Sequence, residues 1–416
     1  MFETESKTVP ITKQMVKEAY RKVKANKGSA GVDKESLDEF QKDLLNNLYK
    51  LWNRLSSGSY FPKPVREVSI PKANGSMRKL GIPTVSDRIA QQVIKTYLEP
   101  RLEAVFEGNS YGYRPLKSAH DALEAVQENV KQYAWVVDMD IKSFFDEVDH
   151  ELLMKALDCH VKEKWVKMYL LRWLEAPSQT QDGTLIAKNG RGTPQGGVIS
   201  PLLSNLYLHY VLDKWLVKHY PQVAFVRYAD DVIVHCNSEE ESKQILEAIR
   251  ERLKECKLRL NEEKTKLVYC KNHKRKKKNE YAKKFDFLGF TFKPQSIPVK
   301  NAGMIVFYNC AISQKAQTRI VEGWKKLNFH RKSTLSIQDI AAEINPRMRG
   351  IIRYYGKFKK WTLRNLIRHF HFRLVKWVLN KYKGLKGSRV KAYKWINAIK
   401  ASYPTLFYHW TIFETI

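Results

Sequence analysis

Residues 225–234 read FVRYADDVIV, two short runs of β-branched and aromatic residues that meet at two adjacent acids, Asp230 and Asp231. Runs of this length and composition are strands, and so short a connection makes them pair antiparallel as a hairpin. The fold must therefore contain an antiparallel sheet with both carboxylates at one hairpin tip, where water and a divalent cation can reach them. Adjacent acids also suit an ordinary solvated turn, because short polar side chains bond their own backbone there. A third carboxylate and a surface for a polyanion would separate the two readings.

The third carboxylate is offered by residues 134–141, AWVVDMDI, a strand that ends in Asp138 and Asp140. Their i, i+2 spacing puts both on one face. An acid at this strand end, beside the hairpin, is what a two-metal nucleotidyl-transfer site needs. One ion activates the attacking 3′ hydroxyl and the other holds the triphosphate, about 3.5–4 Å apart and bridged by carboxylates. Hard oxygen ligands select Mg²⁺. Without a cation such carboxylates would raise one another's pKa. Asp138, taken alone, reads as a surface acid. Between strand and hairpin lies Gly192-Thr193-Pro194-Gln195-Gly196-Gly197, whose glycines permit close backbone approach to a nucleotide or template and whose Gln195 both donates and accepts.

The polyanion surface is written in the charge. Lys and Arg number 74 against 43 acids, a net +31, far beyond what solubility requires. From 311 to 416 there are 23 Lys and Arg against 4 Asp and Glu, with five of the ten Trp. Those aromatics read as helical core rather than stacking platforms. Attachment to a ribosome or a membrane surface is the bland alternative. There is no run of 18 apolar residues and no basic-then-apolar leader, so neither a membrane span nor a secretory signal is expected, and a cytosolic protein is. The five cysteines are scattered without a C-x-x-C pair, which argues against a disulfide framework and a zinc module.

The 416 residues, 43% hydrophobic, suffice for two or three domains. Thr12 caps a helix that Lys27-Gly28 ends, and Ser36 with Glu39 forms a capping box opening a longer helix to Gly58. Two extended pieces, 65–70 and 78–82, join at the turn Lys72-Ala73-Asn74-Gly75 as a basic hairpin. Helices over 86–105 and 118–130, and from about His150 and Ser200, alternate with the strands. An acidic-to-basic helix spans 239–256, and a last strand pair is expected at 267–270 and 285–292, interrupted by the basic run 271–284, a solvated loop or a phosphate contact. Beyond 310 the periodicity is helical, through Ile337, Ile340 and Ile344 and again over 361–378. The pattern is mixed α and β with antiparallel strands.

Taken in order, the chain resembles the group II intron-encoded reverse transcriptases, or maturases, over almost its whole length. The strings that carry this are IPKANGSMRKLGIPTVSDRIAQQ, GYRPLKSAHDA, DIKSFFDEVDH, GTPQGGVISPLLSNLYL, RYADD, LNEEKTKLV, FDFLGFTF and INPRMRGIIRYYGKF. The resemblance implies an α+β right-hand polymerase. Its parts would be a helical N-terminal extension (1–60), fingers and palm with an antiparallel palm sheet (61–305), a helical thumb or X domain (306–385) and a short basic nucleic-acid-binding tail (386–416). It implies that Asp140, Asp230 and Asp231 are the catalytic ligands of two Mg²⁺ ions, with Ile141 adding a backbone carbonyl. Lys72 and Arg78 would hold the incoming deoxynucleoside triphosphate, and Gln195 would contact it and its template partner. Phe145, five residues after Asp140, would stack under the deoxyribose and exclude a 2′ hydroxyl. Lys264 would protonate the pyrophosphate leaving group.

The implied function is an RNA-directed DNA polymerase that binds its parent intron RNA, assists splicing and copies the intron at a DNA target during retrohoming, in a bacterial cytoplasm or nucleoid. The sequence has no HNH-like Cys and His arrangement, so target-strand cleavage is not expected. Two alternatives stay open: a maturase acting chiefly as an RNA-binding splicing factor, and a domesticated relative in phage defence, DNA repair or CRISPR adaptation.

Overall fold

The computed structural model describes residues 9–71, 75, 77–275, 280–299 and 303–413. It divides into two compact units, one of residues 1–122 and 137–267, the other of 123–136 and 268–416. The strands are β1 (Val65–Pro71), β2 (Met77–Ile82), β3 (Trp135–Asp140), β4 (Ser178–Gln179), β5 (Leu185–Ile186), β6 (Ala224–Tyr228), β7 (Asp231–Cys236), β8 (Lys266–Tyr269), β9 (Phe285–Phe287), β10 (Phe290–Val299) and β11 (Gly303–Ile312).

In the first unit, the Thr12 hydroxyl accepts from Met15 N and caps the helix Lys13–Asn26, and the Ser36–Glu39 capping box forms as its residue types require. The single helix expected from Ser36 to Gly58 is instead two, Leu37–Lys42 and Leu44–Ser56, because Asp43 leaves helical geometry (φ −123°, ψ 51°). Two short side chains favour the break. Asn47 Nδ2 donates to Phe40 O at 3.0 Å, and the Asp43 carboxylate accepts from Asn46 Nδ2 at 2.8 Å.

β1 and β2 form the basic hairpin, paired from Arg66↔Ile82 to Pro71↔Met77, in a sheet ordered β2-β1-β4-β5. Of its turn, Lys72, Ala73 and Asn74 lie outside the described residues, and Gly75 has φ 82°. The sheet that carries the acids is ordered β6-β7-β3-β8. Val137, Met139, Val226 and Val232 to Val234 are buried on it, and the helix Glu239–Glu255 buries Ile245, Ile249 and Leu253. Each such aliphatic side chain contributes about 1.5–3 kcal/mol by leaving water. The helix that starts at Ser200 widens into a π turn at His209–Asp213 before continuing as Lys214–His219. Arg252 donates to two carbonyls of that turn, Tyr210 O at 3.2 Å and Val211 O at 3.1 Å.

In the second unit, the expected pairing of 267–270 with 285–292 does not form. β8 belongs to the sheet of the acids, whereas β9 and β10 make a separate sheet ordered β11-β10-β9. The physical reason is a strand that sequence periodicity missed. β11 pairs with β10 over its whole length, from Phe290↔Ile312 to Val299↔Gly303, and so supplies β10 with a far longer partner. A division at 305 runs through this ladder, and residues 268–305, expected with the palm, are grouped with the helical unit. Leu288 and Gly289, both at positive φ, close the β9–β10 hairpin as a two-residue turn.

Helices Gln314–Leu327, Ile337–Lys359, Arg364–Lys381 and Arg389–Ser402 follow. Trp324, Trp377 and Trp410 are buried in them or beside them, as expected of core aromatics, whereas Trp361 is 63% exposed. Part of the basic run, 276–279, lies outside the described residues. Of its described cations, Arg275 is turned inward and donates to the carbonyls of Val130, Lys131, Gln132 and Cys270.

Candidate active site

β6 and β7 pair to the last residue, Tyr228↔Asp231, so only Ala229 and Asp230 remain in the turn. Ala229 has φ 57°. A positive φ at the first of two central residues is a position that favours glycine, and it costs a residue with a Cβ about 1–2 kcal/mol. The strain sits at the tip that carries the acids. Asp231 opens β7 with an exposed side chain, and Asp230 is half-buried.

β3 ends at Asp140, where the chain is held by a segment 121 residues later: Asn261 N donates to Asp140 O at 2.8 Å, and Asn261 Nδ2 to Asp140 Oδ2 at 2.9 Å. Lys264 Nζ lies 2.8 Å from the same Oδ2. Ile141, the next residue, is buried and bridges Leu260. Asp138 pairs with Lys266 Nζ at 3.3 Å.

Burial, followed by the charges of Asp230, Asp140 and Asp138, pushes the Asp231 carboxyl up to about 7 against the opposing pull of Lys264. Its side chain is exposed, so surrounding protein rather than complete enclosure displaces the water. The Asp230 carboxyl is raised as well, by burial and then by Asp140, and is pulled back by its own backbone N–H and by Arg78 and Lys264. The acids are thus close enough to resist ionising together.

Among the described residues no group of three or more His, Cys, Asp and Glu side chains is arranged to hold a metal ion by itself. One of the three expected ligands, Asp140, is instead engaged by the Lys264 ammonium. The donor set nonetheless fits a hard divalent cation, because it is carboxylate oxygen only and because added positive charge would relieve the repulsion at Asp231.

The hairpin of β1 and β2 docks on the Gly-rich loop. Gly81 N donates to Gln195 O at 2.7 Å and Arg78 Nε to Gln195 Oε1 at 2.7 Å. Gly196 (φ +116°) makes this approach possible, since a Cβ there would lie 2.5 Å from Gly81 O. The loop's other end binds the turn after β3: Thr193 N donates to Phe145 O at 2.7 Å, and Gly192 N to Val148 O at 2.8 Å. Phe145, in the short helix Phe144–Glu147, is 9% exposed, with its ring 5.4 Å from that of Phe144. Arg78, Gln195 and Phe145 are therefore joined through one loop, whereas Lys72 lies outside the described residues.

Several residues at the site were not singled out from sequence. Asn261 is invisible there because its role depends on the chain's return to Asp140. Tyr113 (φ 58°) places its ring 6.4 Å from that of Tyr228, and burial and then the charge of Asp230 raise its phenol. A Cβ on the preceding Gly112 would overlap Ala229 N. The Tyr-Gly-Tyr at 111–113 was the available signal. Arg227 and Asp213 form a salt bridge with no exposed surface. An arginine inside a run of strand formers was its only trace.

Comparison with known proteins gives the same outline. Residues 70–292 match the family described as reverse transcriptase (RNA-dependent DNA polymerase), and residues 317–395 match the group II intron, maturase-specific domain. The chain is 36% identical over 296 residues to protein YkfC of Escherichia coli K12, covering 61% of this chain and 76% of that one. It is 26% identical over 465 residues to the group II intron-encoded protein LtrA of Lactococcus lactis subsp. cremoris, covering 90% of this chain and 74% of that one. Among solved structures, a telomerase from Candida albicans in complex with a fragment of telomeric RNA is similar over 88% of this chain and 69% of its own. At a TM-score of 0.45 and 13% identity, it is too distant to assign any residue a role.

Proposed function

Since this chain belongs to the reverse transcriptases, with a group II intron maturase domain after the polymerase region, it is an RNA-directed DNA polymerase, and we propose that it copies its parent intron RNA at a DNA target and supports the splicing of that RNA. The observation that carries the chemistry is that β3, which ends at Asp140, lies beside β7, which opens with Asp231 next to Asp230; burial, and then the charges of Asp230 and Asp140, push the Asp231 carboxyl up to about 7. In this reading Asp140, Asp230 and Asp231, with the Ile141 carbonyl, hold two Mg²⁺ ions. When bound, the ions supply activation of the primer 3′ hydroxyl and neutralisation of the triphosphate.

The chain's own groups do the positioning. Arg78, with Lys72 on the same hairpin, binds phosphate oxygens. Its 2.7 Å contact with Gln195 supports this, because it orients the guanidinium at the Gly-rich loop. Gln195 sets the nucleotide against its template partner. Phe145 forms the floor under the deoxyribose and leaves no room for a 2′ hydroxyl. Lys264 exchanges its resting contact with Asp140 for the leaving pyrophosphate and donates its proton there.

The working division is a helical extension (1–60), fingers and palm from 61, a helical thumb to 385 and a basic tail (386–416), with the palm–thumb boundary moved from 305 to beyond the β10–β11 ladder. The thumb and tail carry 23 cations against 4 acids over 311–416, suited to intron RNA and target DNA through counterion release. No helix among the described residues is long and apolar enough to cross a membrane. The reading places the protein in a bacterial cytoplasm, at the nucleoid during target-primed reverse transcription and retrohoming.

Primer extension on an RNA template with deoxynucleotides and Mg²⁺ tests the enzyme, and no extension would refute it. Replacing Asp230 and Asp231 by Ala is expected to abolish cDNA while splicing support survives. Loss of both activities in a folded protein would count against two separable functions.

A further inference from the structure

Arg227 stands two residues before the strained turn residue, and its side chain has no exposed surface. Nε and Nη2 donate to the two carboxylate oxygens of Asp213 at 2.7 and 2.5 Å, a bidentate pairing that fixes the guanidinium plane. That leaves Nη1 aimed at two acceptors, Asn205 Oδ1 at 3.0 Å and Ala229 O at 3.1 Å. Asn205 passes the connection on, donating from Nδ2 to Gly112 O at 2.7 Å. The backbone of Arg227 holds the same loop, since its N–H donates to Asn109 O at 2.9 Å and its carbonyl accepts from Tyr111 N at 2.8 Å.

A buried ion pair does not by itself imply function, because apolar residues of similar volume often serve stability as well. Here the third nitrogen is directed at the carbonyl of Ala229, the residue that separates β6 from Asp230. Ala229 and Tyr113 both hold left-handed backbone, and the glycine between Tyr111 and Tyr113 is packed against Ala229 so closely that a Cβ would overlap it. Left-handed residues with side chains persist where their surroundings over-determine them, and they cluster where geometry serves chemistry.

We infer that Arg227 is a positioning residue for the catalytic acids: by holding Ala229 O directly and Gly112 O through Asn205, it keeps the turn in the shape that presents Asp230 and Asp231 to one cation site. Asp213, at the end of the π turn, orients Arg227 for that task. The inference rests on the polymerase reading above and deepens it. Lysine cannot replace the fork, because one ammonium lacks the planar donor pair that binds Asp213 while a third nitrogen reaches Ala229.

The test measures Mg²⁺-dependent thermal stabilisation of the full chain without nucleotide or nucleic acid, alongside kcat and the KM for deoxynucleotide. Arg227→Lys is expected to weaken the Mg²⁺ midpoint about 10- to 100-fold, the usual cost of removing support behind a metal ligand. Its kcat should fall similarly, with primer–template affinity unchanged. Asn205→Ala guards against a variant that fails to fold. It leaves the Arg227–Asp213 pair and the bond to Ala229 O in place and removes only the link to Gly112 O, so the Mg²⁺ midpoint should still weaken, by less than in Arg227→Lys. A merely structural role predicts the opposite pattern, a lower melting temperature for Arg227→Lys with an unchanged midpoint in both variants, and that result would overturn the inference. A wild-type chain with no Mg²⁺ response would instead refute the metal reading on which it rests.

Discussion

Lys264 Nζ sits 2.8 Å from Asp140 Oδ2, so the residue assigned to the leaving group is held at rest by a residue assigned to the metal. An ammonium and a divalent cation compete for that oxygen. Lys264→Met should therefore tighten the Mg²⁺ midpoint while lowering kcat about 100-fold, the scale of a lost general acid. Lys264→Arg should preserve the competition and still lose rate, because a guanidinium does not release its proton. Mg²⁺ titrations of single-turnover primer extension check both. An unchanged rate in Lys264→Met would remove its role as acid.

Arg78 and Gln195 lie 117 residues apart in sequence and 2.7 Å apart in space, which makes them a pair rather than two independent contacts. Arg78→Ala should raise the KM for deoxynucleotide about tenfold or more, through lost charge-assisted contact with phosphate. Gln195→Ala should raise it less. The double variant should be milder than the product of the singles, with a coupling of about 0.5–3 kcal/mol. Strict multiplicativity in steady-state kinetics would mean that the observed contact does not orient the guanidinium during turnover.

Phe145 is nearly buried against Phe144, and its backbone carbonyl anchors the Gly-rich loop. Phe145→Ala removes the ring but not the carbonyl, so loop docking should survive while the ribose floor opens. Discrimination against ribonucleotides should fall by about tenfold or more, within reach of one packing contact. Competition between a ribonucleotide and its deoxy counterpart on one template measures it, and undiminished selectivity would reassign Phe145 to the core.

Short-range patterns were legible and long-range returns were not. The hairpin of Asp230 and Asp231, the caps at Thr12 and Ser36, and the strand ending at Asp140 follow from periodicity and side-chain chemistry within a few residues. Asp43 breaks its helix through Asn46 and Asn47, a competition that a capping box upstream conceals. β11 escaped because its first residues are largely exposed, which blurs the alternation that marks a strand. Asn261, Arg227 and Asp213 acquire their roles only when separate segments meet, and no local pattern encodes that. At the site, the residue types were visible and the ammonium engaging Asp140 was not.

The raised Asp231 carboxyl makes a prediction about the metal-free protein. An unfolded aspartate ionises near 3.8, and in the fold this one ionises near 7, so the native state keeps its proton over a range where the unfolded state has lost it. Stability then falls as pH rises from about 4 to about 7, and above that range the full loss is present. Asp231→Asn removes the charge and keeps the shape. In chelator at pH 8 its melting temperature should exceed that of the wild type by about 2 °C, a modest figure because the side chain is exposed and solvent screens it. At pH 5, where the native wild-type carboxyl is already largely protonated, the gap should shrink. Saturating Mg²⁺ at pH 8 should raise the wild-type melting temperature and leave the variant nearly unmoved. Melting curves for both proteins under these three conditions decide the matter, and a variant no more stable than wild type in chelator at pH 8 would mean that the acids do not strain the empty site.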